Sequence, residues 1–415
     1  MTGKPTTSDE PVLLVIGGRV ETVRKACELG LRVVNVQRPE EYRPEHADLV
    51  EAALLVDYTD WDVLRPLVTA AHEVYGFSGV ATITEPGVVP VGRIAELLGL
   101  RGPSHLCARL MRDKEAMRAH LAGLPGAVAA APVEGPDSLR EFGERHGHPF
   151  VLKPVDAAAS FGVRLVRGPE ESADAWRDVE RLRASTDHRF ANYFPMTRFL
   201  MEEYLDGPEY SVESLSFDGR HVCLAVTEKA TVGAFVETGH ALPARLSDAD
   251  ETAVLACVTA FLDAVGLGHG PAHTEVKLTS RGPRVIESHA RPGGDRIMEL
   301  VDAAYGVDIE AYTVGWAAGV LPALPARPEP RAAAATRFLT SAPGVVTGVE
   351  GVDEVRAHEG VFGVDVAVSV GDVIGPLEAS WDRTGQILVA APDTAAAVAL
   401  AEQLAGKITV TTDPA

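Results

Sequence analysis

Two glutamates set the first question. Glu275 and Glu287 lie on two expected strands, Ala272–Leu278 and Arg284–Ser288, joined across Ser280-Arg281-Gly282. Side chains alternate along a strand, so both carboxylates are able to face one side of the hairpin. Paired carboxylates repel unless a cation sits between them. Hard oxygen ligands suit Mg²⁺, which binds through one or two carboxylates plus substrate phosphates. His289, two residues past Glu287, shares that face, and so does Arg291 if the strand continues. The bland alternative is an exposed hairpin with solvated carboxylates.

The surrounding residues favour the phosphate reading. Of the 38 basic side chains only seven are lysine, and Lys114, Lys153 and Lys229 each stand at the end of an expected element. Lysine is a compact point charge suited to reaching a phosphate. Lys153-Pro154 precedes the small-residue loop Asp156–Gly162, which contains Ser160. Small residues let backbone N–H groups approach phosphate oxygens. Met201–Leu205 reads as a strand running into the turn Asp206-Gly207-Pro208, followed by Glu209. Its main chain is suited to a purine edge and Glu209 to ribose hydroxyls. Taken singly, each has a dull reading: a surface lysine, a flexible loop, an edge strand.

The elements that must position these groups follow from periodicity. Pro11–Gly18, Leu31–Val36, Ala53–Val56 and Gly79–Ile83 read as strands alternating with helices near Trp61–Tyr75 and Val91–Leu98, as in a doubly wound parallel sheet. Gly17-Gly18 lacks the full GxGxxG pattern, so a tight strand-to-helix turn is expected there. Ser104–Leu121 reads as helical, and Phe150–Pro154, Gly162–Val166 and Phe199–Tyr204 as strands. Tyr210–Ser216 and His221–Thr227 form an expected hairpin at Asp218-Gly219. Asp248–Gly266 and Ile309–Gly319 read as helices, Leu321–Ala335 as a linker, and Thr394–Leu404 as a helix among C-terminal strands.

A chain of 415 residues predicts two or three packed units. The net charge of −21 argues against nucleic-acid backbones and anionic membranes as partners. Four scattered cysteines without a CxxC pair suggest neither zinc nor a disulfide framework. Met1–Pro11 lacks the layout of a signal peptide, and no apolar run of about 20 residues occurs. A cytoplasmic protein is the expectation.

As an ordered series these segments resemble the ATP-grasp superfamily of carboxylate–amine ligases. The blocks are RDKEAM (Arg112–Met117), PFVLKP (Pro149–Pro154), the loop to Gly162, MEEYLDGPEYSVE (Met201–Glu213), TEK (Thr227–Lys229), GPAHTEVKL (Gly270–Leu278) and VIESHARPGGD (Val285–Asp295). The segment FVETGH (Phe235–His240) is similar to the L-amino acid (dipeptide) ligase branch. The resemblance implies an α/β ATP-grasp fold. Residues 1–105 would form an N-terminal doubly wound parallel-sheet domain, 106–325 the two-lobed ATP-binding region with a lid subdomain at about 125–205, and 326–415 a C-terminal α+β lobe.

The resemblance also implies roles. Lys114 and Lys153 would hold the ATP phosphates under a lid loop containing Ser160 and Gly162, with Lys229 also on the nucleotide. Glu202 and the backbone of Glu203, Tyr204 and Leu205 would clamp adenine, with Glu209 on the ribose. Glu275 and Glu287 would bind two Mg²⁺ ions, Mn²⁺ being an alternative, with His289 standing where many relatives have an asparagine ligand. Arg291 would face the transferred phosphoryl group. Glu237 and His240 would line the amine pocket and offer a base. Asp295 stands where some dipeptide ligases have an aromatic; it would either favour a cationic substrate group or be solvated. The implied reaction joins a small-molecule carboxylate to an amine through an acyl phosphate, releasing ADP and phosphate, in a protein that is a homodimer. Two rivals remain: a carboxylase activating bicarbonate, suggested by Gly375–Ala391 with Asp382-Arg383, and a nucleotide-binding protein without turnover.

Overall fold

The computed structural model describes residues 10–185, 196–232 and 235–414. Lys4 and most of the segment Met1–Pro11 lie outside the described residues.

The first layer is a four-stranded parallel sheet in the order Ala52–Leu55, Arg32–Gln37, Val12–Ile16, Phe77–Ala81. Every residue of Val12–Ile16 is buried. Leu14 and Ile16 face Leu64, Val68 and Ile94, whereas Leu13 and Val15 face Val23, Ala26 and Val314. Burial on both faces is what a parallel sheet flanked by helices requires, and it explains the unbroken apolar run in the sequence. Helix Ile309–Ala317, from far along the chain, supplies part of one face. It approaches so closely that a Cβ at Gly79 would overlap the carbonyl of Ala317.

A four-stranded antiparallel sheet follows, ordered Ala130–Pro132, Phe199–Glu203, Phe150–Pro154, Arg164–Val166. Helices Pro136–His146 and Ser172–Ala184 bury Leu139, Phe142, Ala175 and Val179 against it.

The largest sheet has eight strands in the order Gly282–His289, Gly270–Thr279, Glu209–Phe217, Arg220–Val232, Val236–Leu242, Ala333–Leu339, Gly385–Ala391, Val361–Val366. Helix Asp248–Val265 packs on Val212, Val226 and Val276, while helix Ile297–Tyr305 packs on Leu215, Ala225 and Leu242. The sheet therefore runs continuously from the acidic hairpin into the C-terminal lobe. A small sheet of Val373–Ile374, Gly344–Glu350 and Thr409–Asp413 completes that lobe.

Two sequence expectations change and a third holds. Ser104–Leu121 is two helices, His105–Leu110 and Lys114–Leu121, because Asp113 caps the second by accepting from Ala116 N (2.9 Å). The expected linker Leu321–Ala335 ends in a buried strand: Ala333, Ala334 and Ala335 belong to the eight-stranded sheet. Their small side chains let helix Thr394–Ala405 lie directly on it, so an alanine run that resembles a linker is core. The hairpin at Asp218-Gly219 forms as expected, with both residues in the left-handed region that such a two-residue turn demands.

Candidate active site

Glu275 and Glu287 are direct cross-strand partners. Both line one cleft, of about 880 Å³ and open to solvent, together with Lys114, Lys153, Glu202 and Glu209. Each carboxylate is neutralised by a lysine. Lys229 Nζ lies 2.5 Å from Glu275 Oε1, and Lys114 Nζ lies 2.7 Å from Glu287 Oε2. Burial alone would push both carboxyls up; Lys229 and His273 outweigh it at Glu275, and Lys114 and His289 at Glu287, so both are held below the ordinary carboxylate range. Paired hard oxygens on one face suit a magnesium ion.

Lys229 stands behind this wall rather than in the open cleft. Its side chain is 1% exposed and also meets Glu237 Oε1 (3.1 Å) and Glu209 Oε1 (3.3 Å). Burial would lower its pKa, but the three carboxylates hold it well above the ordinary value. Glu209 also meets Lys277 at 3.5 Å.

Lys153 is anchored at the cleft floor by Glu202 (2.7 Å). Arg118 Nε donates to the other oxygen of Glu202 (2.8 Å), and its Nη1 and Nη2 donate to the carbonyls of Val285 and Ile286 (2.9 and 2.6 Å). This arginine ties the strand carrying Glu202 to the strand carrying Glu287. Burial raises the Glu202 carboxyl, yet Arg118 and Lys153 bring it down to about 2. The Glu202 side chain is thus turned to the two cations. Glu203, Tyr204 and Leu205 line the cleft together with Val151 and Ile286, whose apolar side chains suit a flat base. Glu203 itself accepts from Ala129 N (3.1 Å) and Arg281 Nη2 (2.6 Å).

The loop after Pro154 arches over the lysines. Lys114 Nζ donates to Ala157 O (2.8 Å) and Ser160 Oγ to Phe235 O (3.1 Å). Ala159, Ser160 and Gly162 have left-handed backbone (φ 57°, 59° and 73°). At Gly162 a Cβ would also press on Pro154 Cγ at 2.9 Å, which explains the glycine.

Arg291 is held from the N-terminal domain. Glu85, following strand Phe77–Ala81, accepts from Arg291 Nε (2.5 Å), and its carboxylate lies 2.8 Å from His289 Nδ1 and 3.4 Å from Arg112 Nε. Burial would raise this carboxyl, but His289 and Arg291 hold it well below the ordinary range. His289 sits between two carboxylates, with Nε2 3.4 Å from Glu287 Oε1.

The remaining predicted residues gather at one end. Asp295 accepts from Arg383 Nη1 and Nη2 (2.9 and 2.6 Å) and lies 3.2 Å from His240 Nε2. It is therefore internally paired, neither solvated nor free. Burial opposes its charge, but the His240 and Arg383 bonds keep it ionised far below its ordinary range. Glu237 joins this group: ligand atoms of Glu237, His240 and Asp295 lie within 4.8 Å of one another.

Sequence reading missed Arg118, Glu85 and Arg383 as partners of the candidate site residues. For Glu85 one signal existed: ligand crevices in doubly wound sheets open at the carboxyl ends of strands, where Glu85 stands.

Two antiparallel sheets closing on a lysine- and carboxylate-lined cleft, behind a parallel-sheet domain, define a nucleotide-grasping ligase architecture. An ATP-grasp N-terminal domain matches residues 23–102, an ATP-grasp domain residues 146–299, and an L-amino acid ligase C-terminal domain residues 337–413. The chain thus carries ATP-grasp domains and an L-amino acid ligase C-terminal domain. It is 29% identical over 360 residues to an uncharacterized protein of Sinorhizobium fredii, covering 85% of this chain and 71% of that one. It is 29% identical over 264 residues to alanine–anticapsin ligase of Bacillus subtilis, covering 60% of this chain and 55% of that protein. The match thus spans about half of that ligase's length. The crystal structure of an L-amino acid ligase from Bacillus licheniformis superposes with a TM-score of 0.82 at 24% identity, covering 98% of this chain and 100% of that one, a likeness of fold. Among the described residues no helix is long and apolar enough to cross a membrane.

Proposed function

We propose that this chain is an ATP-dependent ligase that joins a carboxylate, an amino acid in the simplest case, to an amine through an acyl phosphate, releasing ADP and phosphate. The observation that carries this reading is the facing pair Glu275 and Glu287, each backed by a lysine, across one cleft from Lys153.

A carboxylate does not condense with an amine in water because its oxygen leaves poorly. Phosphorylation gives it a leaving group, and that transfer depends on positioning and charge neutralisation. Lys114 and Lys153 hold the phosphates, the loop with Ser160 and Gly162 covers them, Glu203–Leu205 take the base and Glu209 the ribose. Glu275 and Glu287, with His289 beside them, would hold two Mg²⁺ or Mn²⁺ ions, which supply charge neutralisation on the phosphate oxygens when bound. Arg291, aimed by Glu85, faces the transferred group. Glu237 or His240 takes the ammonium proton as the amine attacks. The loop keeps water from the acyl phosphate.

The reading divides the chain at about residues 105 and 325, the lid at 125–205, and places it in the cytoplasm as a homodimer. It is tested by ADP release from carboxylate–amine pairs: release that needs both partners and no bicarbonate supports it, and strict bicarbonate dependence moves the enzyme to the carboxylases. Arg383, part of the segment that suggested bicarbonate, is engaged with Asp295, which favours the amine reading.

A further inference from the structure

Glu237 is held from two sides. Its Oε1 accepts from Lys229 Nζ (3.1 Å) and its Oε2 from Ser380 Oγ (2.8 Å), a residue 143 positions along the chain. Ser380 is buried and opens the short turn Ser380–Asp382 in the C-terminal lobe. Its backbone N–H donates to Ala159 O in the phosphate loop (3.3 Å). The next ring, Trp381, has its centroid 5.8 Å from that of Phe161 in the same loop. Arg383, at the end of the turn, clamps Asp295 while its guanidinium carbon lies 3.6 Å from the centroid of Phe338. The turn is stiffened from within, since the Asp382 carboxylate accepts from Glu378 N and Ala379 N (2.9 and 2.8 Å).

Resting on the ligase reading, we propose that the Ser380–Arg383 turn couples the phosphate loop to the amine side of the cleft, with Ser380 as the positioning residue that aims Glu237. A carboxylate bonded through one oxygen rotates about its terminal torsion, where the energy wells are broad. A second bond to the other oxygen fixes its plane. Ser380 supplies that bond with its hydroxyl and reads the loop with its N–H. The main-chain bond to Ala159 requires the loop to lie over the cleft, so loop closure and orientation of Glu237 share one residue. Without that link, water reaches the acyl phosphate more often than the amine does. Water then adds to the acyl carbon, the carbon–oxygen bond to phosphate breaks, and the carboxylate is regenerated and phosphate released, with ATP spent, ADP formed and no amide made.

The test uses the full chain with Mg-ATP and the carboxylate–amine pair giving the most ADP in the wild-type screen. Ser380→Ala is expected to lower kcat/KM for the amine about tenfold, the loss of one buried hydrogen bond to a charged group. ADP released per amide formed should rise severalfold. Affinity for a non-hydrolysable ATP analogue, read by calorimetry, should stay within twofold, and Ser380→Thr should restore the wild-type ratio. A wild-type ratio of ADP to amide in Ser380→Ala overturns the proposal, as does a change confined to nucleotide affinity. If Ser380→Ala does not fold, Ser380→Cys, with its weaker donor, is read by the same ratio and the same criteria. If the wild type releases no ADP in response to any amine, the ligase reading fails and the coupling role with it; amine-dependent wild-type release with an unaltered Ser380→Ala ratio removes only the coupling role.

Discussion

Glu85 and Arg291 are 206 residues apart in the chain and meet at 2.5 Å, carboxylate to guanidinium Nε. The contact links the parallel-sheet domain to the end of the acidic hairpin. On the proposed reading, it aims a side chain in an irregular segment with the precision that phosphoryl transfer needs.

Glu85→Gln should therefore lower kcat for ADP release by about tenfold or more, as expected when a charge-assisted hydrogen bond is replaced by a neutral one in a buried setting. Affinity for a non-hydrolysable ATP analogue should change little, because Arg291 rather than the nucleotide loses its anchor. Steady-state ADP release and calorimetry separate the two. Wild-type kcat in Glu85→Gln would show that Arg291 does not depend on this contact.

The metal and phosphate groups separate by the quantity each mutation alters. Glu287→Gln should abolish ATP turnover with a near-native fold by circular dichroism. On the proposed reading, Lys153→Ala should weaken nucleotide binding by calorimetry, by about tenfold or more, because a buried ammonium is lost from the phosphates. Unchanged affinity would remove Lys153 from the phosphates.

The buried group Arg118–Glu202–Lys153 predicts a pH dependence of stability. The Glu202 carboxyl lies at about 2 in the folded protein against an ordinary 4.5. A depressed folded-state pKa gives stability that is complete above the unfolded value and lost as pH falls toward the folded one. Glu202→Gln, which leaves two buried cations unneutralised, should cost about 3 kcal/mol near neutral pH. The gap between wild type and variant should narrow between pH 5 and 2. Urea denaturation at several pH values measures it, and a pH-independent gap would remove Glu202 as the titrating group.

Gly79→Ala tests how the N-terminal sheet is covered. The added Cβ meets the Ala317 carbonyl, so the strand and helix must separate. Overpacking of this kind costs about 1–3 kcal/mol, a fall of a few degrees in Tm. An unchanged Tm would mean that the helix yields without cost.

Much of the architecture was legible because it rests on local periodicity. The strand signals around Ser280–Gly282 announce the hairpin that carries Glu275 and Glu287, although unbroken register from the turn would put Glu275 opposite Ile286 and a register shift between Glu275 and Val276 is what pairs it with Glu287. The buried run Val12–Ile16 announces a sheet covered on both faces. Lys153 and its small-residue loop were legible for the same reason: the spacing from strand end to loop is contained in a dozen residues. The alanine run at 333–335 misled, since composition does not say whether a small residue is small for flexibility or for close packing.

The partners of the charged groups belonged to tertiary structure alone. Arg118 reaches Glu202 across 84 residues, Arg383 reaches Asp295 across 88, and Ser380 reaches Glu237 across 143. A single sequence records which side chains are charged but not which ones burial will force together. Inside the protein an unpaired charge is costly, so each of these groups ends beside whatever opposite charge the packed sheets deliver. Residue types and local spacing thus carry the proposed phosphate- and metal-binding chemistry. Which carboxylate steadies which cation was decided only when the sheets closed around the cleft.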